Sequence, residues 1–241
     1  MKPIEELVNT IPKYQDVVVH HTFTSKKHSV AQVTIQGKTR VLKWYAPGYK
    51  KNIEKENEIL QKAVSSLHVP QVFEYDQDNN VLILEYISAE NLCDYLNDDS
   101  KTLEQKKKAL CLLVDWFHSF HHQFMTKTSH FIHGDPTLRN FLINNKIWGV
   151  DFEESRPGEP ILDIAGVCAS LLTTDPMFTN EKNKLSQFFI QQYSAYAPGT
   201  VQNIYQEISL ALLEKIPWRP QDEQLLRTKA SLIKKEGLLL Q

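Results

Sequence analysis

Three polar side chains suited to metal binding and acid–base chemistry lie close together near the middle of the chain: Asp135, Asn140 and Asp151. The first two belong to the run HGDPTLRN at 133–140, and the third opens the run DFE at 151–153. One carboxylate can accept the proton of a hydroxyl group, while an amide oxygen and a second carboxylate can hold Mg²⁺ against the phosphates of ATP. This combination predicts a site for phosphoryl transfer.

The residues between Asn140 and Asp151 indicate how these two side chains could be brought together. They form two short apolar runs around the turn residues Asn144 and Asn145, which is the pattern of a β-hairpin. A hairpin folds its two ends back toward each other. The sequence therefore indicates a candidate metal site at the open end of a hairpin.

Size and composition are those of a soluble protein with a substantial core. The chain has 241 residues, of which 41% are hydrophobic and 23% charged, and its formal net charge is −2. These values give no global sign of nucleic-acid binding. Neither a membrane span nor the apolar core of a signal peptide is visible, so we expect a cytoplasmic protein without a membrane partner. The three cysteines are widely spaced and odd in number, which predicts neither a disulfide framework nor a metal site.

The first third of the chain is rich in predicted β-structure. Alternating apolar residues predict a strand pair at 30–35 and 40–45, and a second hairpin from 72–75 to 81–86. Between these pairs, residues 51–64 carry apolar side chains three or four positions apart, which predicts an amphipathic helix.

From residue 90 onward the pattern is mainly helical. The clearest predicted helix covers 102–124, and another begins at Asp163. Further amphipathic stretches follow near 181–195, 200–215 and 221–235. We therefore predict an α+β fold with two lobes, a β-rich N-terminal lobe at 1–87 and a helical C-terminal lobe at 88–241.

This order of elements and motifs resembles the protein-kinase-like superfamily, which includes protein kinases and small-molecule phosphotransferases. The resemblance covers roughly residues 20–175, and several motifs in the same order carry more weight than any of them alone. It implies a two-lobed protein-kinase-like fold that uses ATP and Mg²⁺.

The resemblance assigns roles to the residues of the opening runs. Asp135 corresponds to the catalytic aspartate, which orients the acceptor hydroxyl and takes its proton, and Asn140 and Asp151 correspond to the metal ligands. Asp163 resembles the buried aspartate that braces the catalytic loop. An ordinary helix N-cap is the alternative for Asp163.

The resemblance also implies nucleotide contacts in the N-terminal lobe. Lys43 matches the lysine that contacts the α- and β-phosphates. Glu56 matches the glutamate that pairs with this lysine, although two neighbouring glutamates on the same predicted helix are alternatives. At the hinge, the carbonyl of Glu85 and the amide of Ile87 would face adenine.

The loop expected to cover the phosphates, at 23–29, contains no glycine. A backbone cradle for phosphates normally depends on glycine, because glycine has no side chain and adopts positive φ. The hydroxyls of Ser25 and Ser29, with the ammonium groups of Lys26 and Lys27, are candidates to replace such a cradle. A solvated basic turn is the alternative.

Two departures point away from regulated protein kinases. Gly134 occupies the place of the arginine that pairs with an activation-loop phosphate in many of them. The path from Asp151 to Asp163 is too short for a long activation segment. The combined pattern resembles aminoglycoside and choline-type phosphotransferases, so we expect the acceptor to be a hydroxyl of a small molecule.

Two other functions stay open from the sequence. Compact atypical kinases of the RIO, KEOPS-complex and Kdo types share the run Lys43-Trp44-Tyr45 and the small size, which would imply an atypical Ser/Thr kinase with a protein substrate or partner. The glycine-free loop would also suit a nucleotide-binding regulatory module that has lost catalysis.

The acidic residues after Asp151 suggest the charge of the acceptor. Glu153, Glu154 and Glu159 follow the metal site in the sequence, and carboxylates there would favour a cationic acceptor such as an amine. An ordinary solvated acidic loop is the alternative.

Overall fold

The chain forms two compact units in the computed structural model, which describes residues 3–25, 27–125 and 129–238. One unit contains the chain up to Ser88 together with Asp151–Glu153, and the other contains Ala89–Val150 and continues from Glu154. An antiparallel sheet dominates the first unit and helices dominate the second. The predicted α+β fold class is confirmed, while the division at 87/88 into lobes stays a prediction.

The sheet of the first unit has five antiparallel strands in the order β1–β2–β3–β5–β4. They are β1 (Val18–Phe23), β2 (Ser29–Ile35), β3 (Lys38–Trp44), β4 (Val72–Asp76) and β5 (Val81–Glu85). Buried side chains alternate with more exposed ones over most of β2, because successive side chains point to opposite faces of a sheet. Both hairpins expected from the sequence are present.

The described residues of the first unit contain two α-helices, α1 (Ile4–Thr10) and α2 (Lys50–Ala63). Helix α2 matches the predicted amphipathic helix and buries Ile53 and Leu60. Helix α1 was not predicted, because seven residues give too few turns for a periodic pattern to stand out. Its apolar side chains join the core of the sheet.

The second unit contains six α-helices in its described residues. They are α3 (Leu92–Asn97), α4 (Leu103–Gln123), α5 (Ile161–Leu172), α6 (Asn180–Tyr196), α7 (Ile204–Leu213) and α8 (Glu223–Glu236). Helix α4 begins with a capping box, in which Thr102 and Gln105 each accept a hydrogen bond from the other's backbone N–H. None of the helices in the described ranges is long and apolar enough to cross a membrane.

The described residues of the second unit also form five short strands. They are β6 (Glu90–Asn91), β7 (Phe131–Ile132), β8 (Phe141–Ile143), β9 (Ile147–Gly149) and β10 (Arg156–Pro157). The predicted hairpin is the β8–β9 pair, and β6 extends its sheet on the β8 side. At the open end, the Val150 N–H donates to the Asn140 carbonyl over 3.0 Å.

Candidate active site

The residues expected to act on the nucleotide meet around Lys43 in the first unit. Strand β3 presents Lys43 one residue before its end. Its Nζ lies 2.7 Å from Glu56 Oε2 and 2.5 Å from Asp151 Oδ1. Glu56 lies on α2 and is only 1% exposed. The pairing of Lys43 with Glu56, rather than with a neighbouring glutamate, is the one that the resemblance implied.

The surroundings of Lys43 keep it positively charged. Burial by itself would lower the pKa of Lys43, but the negative charges of Asp151 and Glu56 outweigh this effect and raise the pKa well above its usual value. Glu56 is itself held by further donors. The Tyr45 hydroxyl donates to Oε2 of Glu56, and the Phe152 N–H donates to Oε1 over 3.3 Å.

Three consecutive residues, Asp151 to Glu153, each pack against or contact other residues of the first unit. Asp151 pairs with Lys43, Phe152 is buried, and the carbonyl of Glu153 accepts a hydrogen bond from Lys55 Nζ over 2.9 Å. Asp151 has φ +67°, a left-handed conformation that costs a non-glycine residue roughly 1–3 kcal/mol. These contacts stabilise the strained conformation and fix the direction of the Asp151 carboxylate.

The side chain of Glu153 is buried among basic residues. Its carboxylate oxygens lie 2.6 Å from His28 Nε2, 3.3 Å from Lys27 Nζ and 3.4 Å from Lys43 Nζ. Burial alone would raise the pKa of Glu153, but the contact with His28 and the charge of Lys43 outweigh it and lower the pKa to about 2. The sequence suggested an acceptor-facing role for Glu153; the structure instead pairs it with cations of its own unit.

The candidate catalytic residue Asp135 is joined to Asn140 in the second unit. The Asn140 side-chain nitrogen donates to the Asp135 carbonyl over 2.8 Å and to its carboxylate over 3.2 Å. Both residues are half-buried. Because the nitrogen faces Asp135, the amide oxygen of Asn140 is the atom directed away from it. The structure thus brings together Asp135 and Asn140 in one unit, and Lys43, Glu56 and Asp151 in the other.

The backbone just before Asp135 is braced by Asp163. This carboxylate is fully buried and accepts from the N–H groups of His133 over 2.7 Å and Gly134 over 3.1 Å. The N-cap alternative for Asp163 is wrong, because helix α5 begins two residues earlier, at Ile161. The brace implied by the resemblance is therefore present.

The remaining residues expected at the nucleotide lie at or just beyond the ends of strands of this sheet. Ser29 is the buried first residue of β2. Glu85 ends β5 and is tied to Gln71, because its N–H donates to the Gln71 carbonyl over 2.8 Å. Ile87 is buried shortly after that strand. Their nucleotide contacts stay predictions, and Lys26 lies outside the described residues.

Comparison with known proteins supports the family resemblance. Residues 89–198 match the family described as phosphotransferase enzyme family. The fold is similar to choline kinase LicA from Streptococcus pneumoniae, with a TM-score of 0.63 and 14% identity over 98% of both chains. It is also similar to aminoglycoside phosphotransferase APH(4)-Ia, with a TM-score of 0.62 and 14% identity over 97% of this chain and 98% of the other. A search among curated proteins found no match.

The chain has a protein-kinase-like fold. The resemblance to aminoglycoside and choline-type phosphotransferases is confirmed, by the fold along nearly the whole chain and by the family match in its middle. Together these findings support a phosphotransferase.

Several residues that contact the group formed by Lys43, Glu56, Asp151 and Glu153 were not identified from the sequence. His28, Tyr45 and Lys55 each contact Glu56 or Glu153, yet the sequence assigned none of them a role in the site. Tyr45 follows Lys43 by two positions, just beyond the end of β3, and its ring centroid lies 4.8 Å from Lys43 Nζ, as the alternation of side chains along a strand would place it. That spacing is the one signal that could have indicated Tyr45.

Proposed function

We propose that this protein is an ATP- and Mg²⁺-dependent phosphotransferase that moves the γ-phosphoryl group to a hydroxyl of a small molecule. The observation that carries the proposal is the contact of Lys43 with both Glu56 and Asp151, at 2.7 and 2.5 Å. A lysine held in this way is preorganised to contact phosphate oxygens. The family match over residues 89–198 supports the same class of reaction.

The side chains proposed as metal ligands fit Mg²⁺. Asp151 keeps 38% of its side chain exposed despite its contact with Lys43, and Asn140 directs its amide oxygen away from Asp135. Carboxylate and amide oxygens are the ligands that Mg²⁺ prefers. Mg²⁺ bound by these oxygens would neutralise negative charge on the transferring phosphoryl group.

The acceptor chemistry falls to Asp135. Its carboxylate would orient the acceptor hydroxyl and take its proton as the new oxygen–phosphorus bond forms, while the bond between the γ-phosphorus and the bridging oxygen breaks and ADP leaves. The hydrogen bonds from Asn140 and the brace on the preceding backbone limit the motion of this carboxylate. Positioning of this kind accounts for much of the rate enhancement in phosphoryl transfer, because the reaction needs little covalent catalysis by the protein.

The nucleotide would be held mainly by the first unit. We assign Lys43 to the α- and β-phosphates, the Ser29 hydroxyl to a phosphate oxygen, and the Glu85 carbonyl with the Ile87 N–H to adenine. Solved structures of APH(4)-Ia variants that contain hygromycin B with ADP or AMP-PNP support a nucleotide and a small-molecule acceptor for this fold. Because Glu153 is paired with basic residues of the first unit, the binding of a cationic acceptor would depend on Glu154 and Glu159.

The proposal is tested first by an acceptor screen. ATP consumption would be measured with amines, aminated sugars, nucleosides and peptides, and the product confirmed by phosphorus NMR. Asp135→Asn should then lower turnover of the identified acceptor by about 10²- to 10⁴-fold, because general base catalysis contributes on this order. Its binding of ADP should be unchanged.

The matched control for this test is Asp99→Asn, the same chemical change at an exposed position of the same unit. It should leave turnover unchanged. Wild-type turnover by Asp135→Asn would overturn the role of Asp135. If the wild-type protein neither binds ADP nor consumes ATP with any acceptor, the proposed function itself is wrong.

A further inference from the structure

Two lysines approach the same carboxylate from different parts of the first unit. Lys27, between β1 and β2, lies 3.3 Å from Glu153 Oε1, and Lys43 of β3 lies 3.4 Å from Glu153 Oε2. Like charges held this close would repel each other in the absence of an anion between them. The negative charge of Glu153 therefore offsets the repulsion between the ammonium groups of Lys27 and Lys43.

The position of Lys27 is fixed by its neighbour His28. The His28 side chain is 2% exposed, and its ring packs against those of Tyr45 and Tyr49 with centroid distances of 4.3 and 4.9 Å. Nδ1 of His28 accepts a hydrogen bond from the Ala46 N–H over 3.3 Å. Because Nδ1 accepts, Nε2 carries the proton, and Nε2 lies 2.6 Å from Oε2 of Glu153.

This arrangement holds Lys27 and His28, the two residues just before β2, in place without a glycine. The loop is anchored by a buried histidine at its β2 side, directly next to Lys27. The Lys27 side chain nevertheless stays 33% exposed, so its ammonium group can reach a ligand. A lysine binds phosphate as a point charge and requires no positive φ, unlike a cradle of backbone N–H groups.

We propose that Lys27 is a second phosphate-binding cation, held beside Lys43 by Glu153 and positioned by His28. It takes the place of the glycine cradle that the loop lacks. The proposal rests on the proposed function, since it concerns the phosphates of the same nucleotide. Lys27 contacts the ligand directly, whereas His28 and Glu153 are positioning residues.

Binding of ADP and of adenosine, measured by calorimetry with Mg²⁺ present, tests this role without any turnover. Lys27→Met should weaken ADP binding about fivefold, because it removes one partly exposed charge-assisted contact. Adenosine lacks phosphates, so its binding should be unchanged. The matched control is Lys38→Met, an exposed lysine that begins β3 opposite Ile35, the last residue of β2, about 20 Å along β2 from Ser29. It should change neither ligand's binding.

The positioning role of His28 has its own signature. His28→Phe keeps an aromatic ring beside the tyrosines but removes the Nε2–H group next to Glu153. It should therefore weaken the binding of ADP as Lys27→Met does and leave the binding of adenosine unchanged. His28→Gln provides a side-chain N–H donor and should recover most of the lost affinity. A merely structural histidine would not give this selective loss or this rescue.

Three results would overturn the proposal. The first is that Lys27→Met binds ADP with the affinity of the wild type. The second is that Lys27→Met loses affinity for ADP and for adenosine equally. The third is that Lys38→Met loses as much affinity for ADP as Lys27→Met does. A different result would show that the proposed function itself is wrong, namely that the wild-type protein does not bind ADP.

Discussion

Gly134 has a backbone conformation that excludes any side chain. Its φ is +83°, and hydrogen bonds hold it there, since its N–H donates to Asp163 and its carbonyl accepts from Arg156. A Cβ atom at this position would lie 2.3 Å from the Glu154 carbonyl oxygen. The arginine that many protein kinases carry at this point could not be accommodated in this loop.

Gly134→Ala should therefore destabilise the protein strongly. We expect a loss of about 3 kcal/mol in the free energy of unfolding, from left-handed strain and the clash with Glu154 together. The measurement is urea unfolding followed by circular dichroism. Gly199→Ala is the matched control, because Gly199 has φ +87° but no atom within 4 Å of its added Cβ. The control should lose only about 1 kcal/mol. Equal losses at both sites would show that no clash occurs at Gly134.

The sequence predicted those residues of the site that belong to motifs with fixed spacing. Lys43 and Glu56 were assigned because a strand end and the following helix carry them in a recognisable order. His28 and Glu153 could not be paired in this way. They are 125 positions apart in the sequence, and their contact depends on how the loop and the DFE segment pack. Packing of this kind leaves no local signal in either segment.

Helices α4, α5 and α6 are joined through one buried polar chain. His121 of α4 lies 2.9 Å from Asp163 on α5 and 2.8 Å from the Tyr193 hydroxyl on α6. The carboxylate accepts, so Nε2 of His121 donates to it and Nδ1 accepts from Tyr193. Burial raises the pKa of Tyr193 above its ordinary value, which keeps this hydroxyl a donor. Asp163 in turn holds the backbone before Asp135.

Tyr193→Phe should weaken this connection between helices. Removing the hydroxyl leaves Nδ1 of His121 buried without its donor, which should cost about 1–2 kcal/mol in the free energy of unfolding. Urea unfolding would measure the loss. Tyr196→Phe is the control on the same helix, because the Tyr196 hydroxyl donates to Asp115 of α4 at the exposed surface. That change should cost less than about 0.5 kcal/mol. A comparable loss at Tyr196 would contradict a special role for the buried chain.

Element prediction succeeded where the periodic pattern was long. Helix α4 was expected at 102–124 and covers Leu103–Gln123, because its 21 residues give a sustained apolar stripe. Helices α1 and α3, with seven and six residues, were not predicted. Short helices depend on the surface that they cover rather than on their own pattern.

On the scale of the whole molecule, the chain passes from one compact unit to the other more than once. Asp151–Glu153 belong to the first compact unit although the residues on either side belong to the second. The sequence indicated a single division near Ser88, because the pattern changes there from mainly strands to mainly helices. The return of three residues depends on their contacts with Lys43, Glu56 and His28, which composition does not reveal.

The stability of the whole chain should depend on pH through Asp76. This residue is 8% exposed and accepts hydrogen bonds from Lys13 Nζ over 2.9 Å and the Tyr14 hydroxyl over 2.8 Å. Burial alone would raise the pKa of Asp76, but the hydrogen bonds from Asn79, Lys13 and Tyr14 outweigh it and lower the pKa below its ordinary value. A carboxyl group whose pKa is lower in the folded than in the unfolded state stabilises the fold above its unfolded pKa of about 4.

Asp76→Asn should therefore lower the free energy of unfolding by about 1–3 kcal/mol at pH 7. As pH falls below about 4, wild-type Asp76 loses its contribution while the variant has none to lose, so the difference should shrink. Urea unfolding at a series of pH values would measure both effects. Asp78→Asn, at an exposed position two residues later, should change the free energy by less than about 0.5 kcal/mol at pH 7. A difference between wild type and Asp76→Asn that stayed constant down to acidic pH would show that the carboxylate charge contributes nothing.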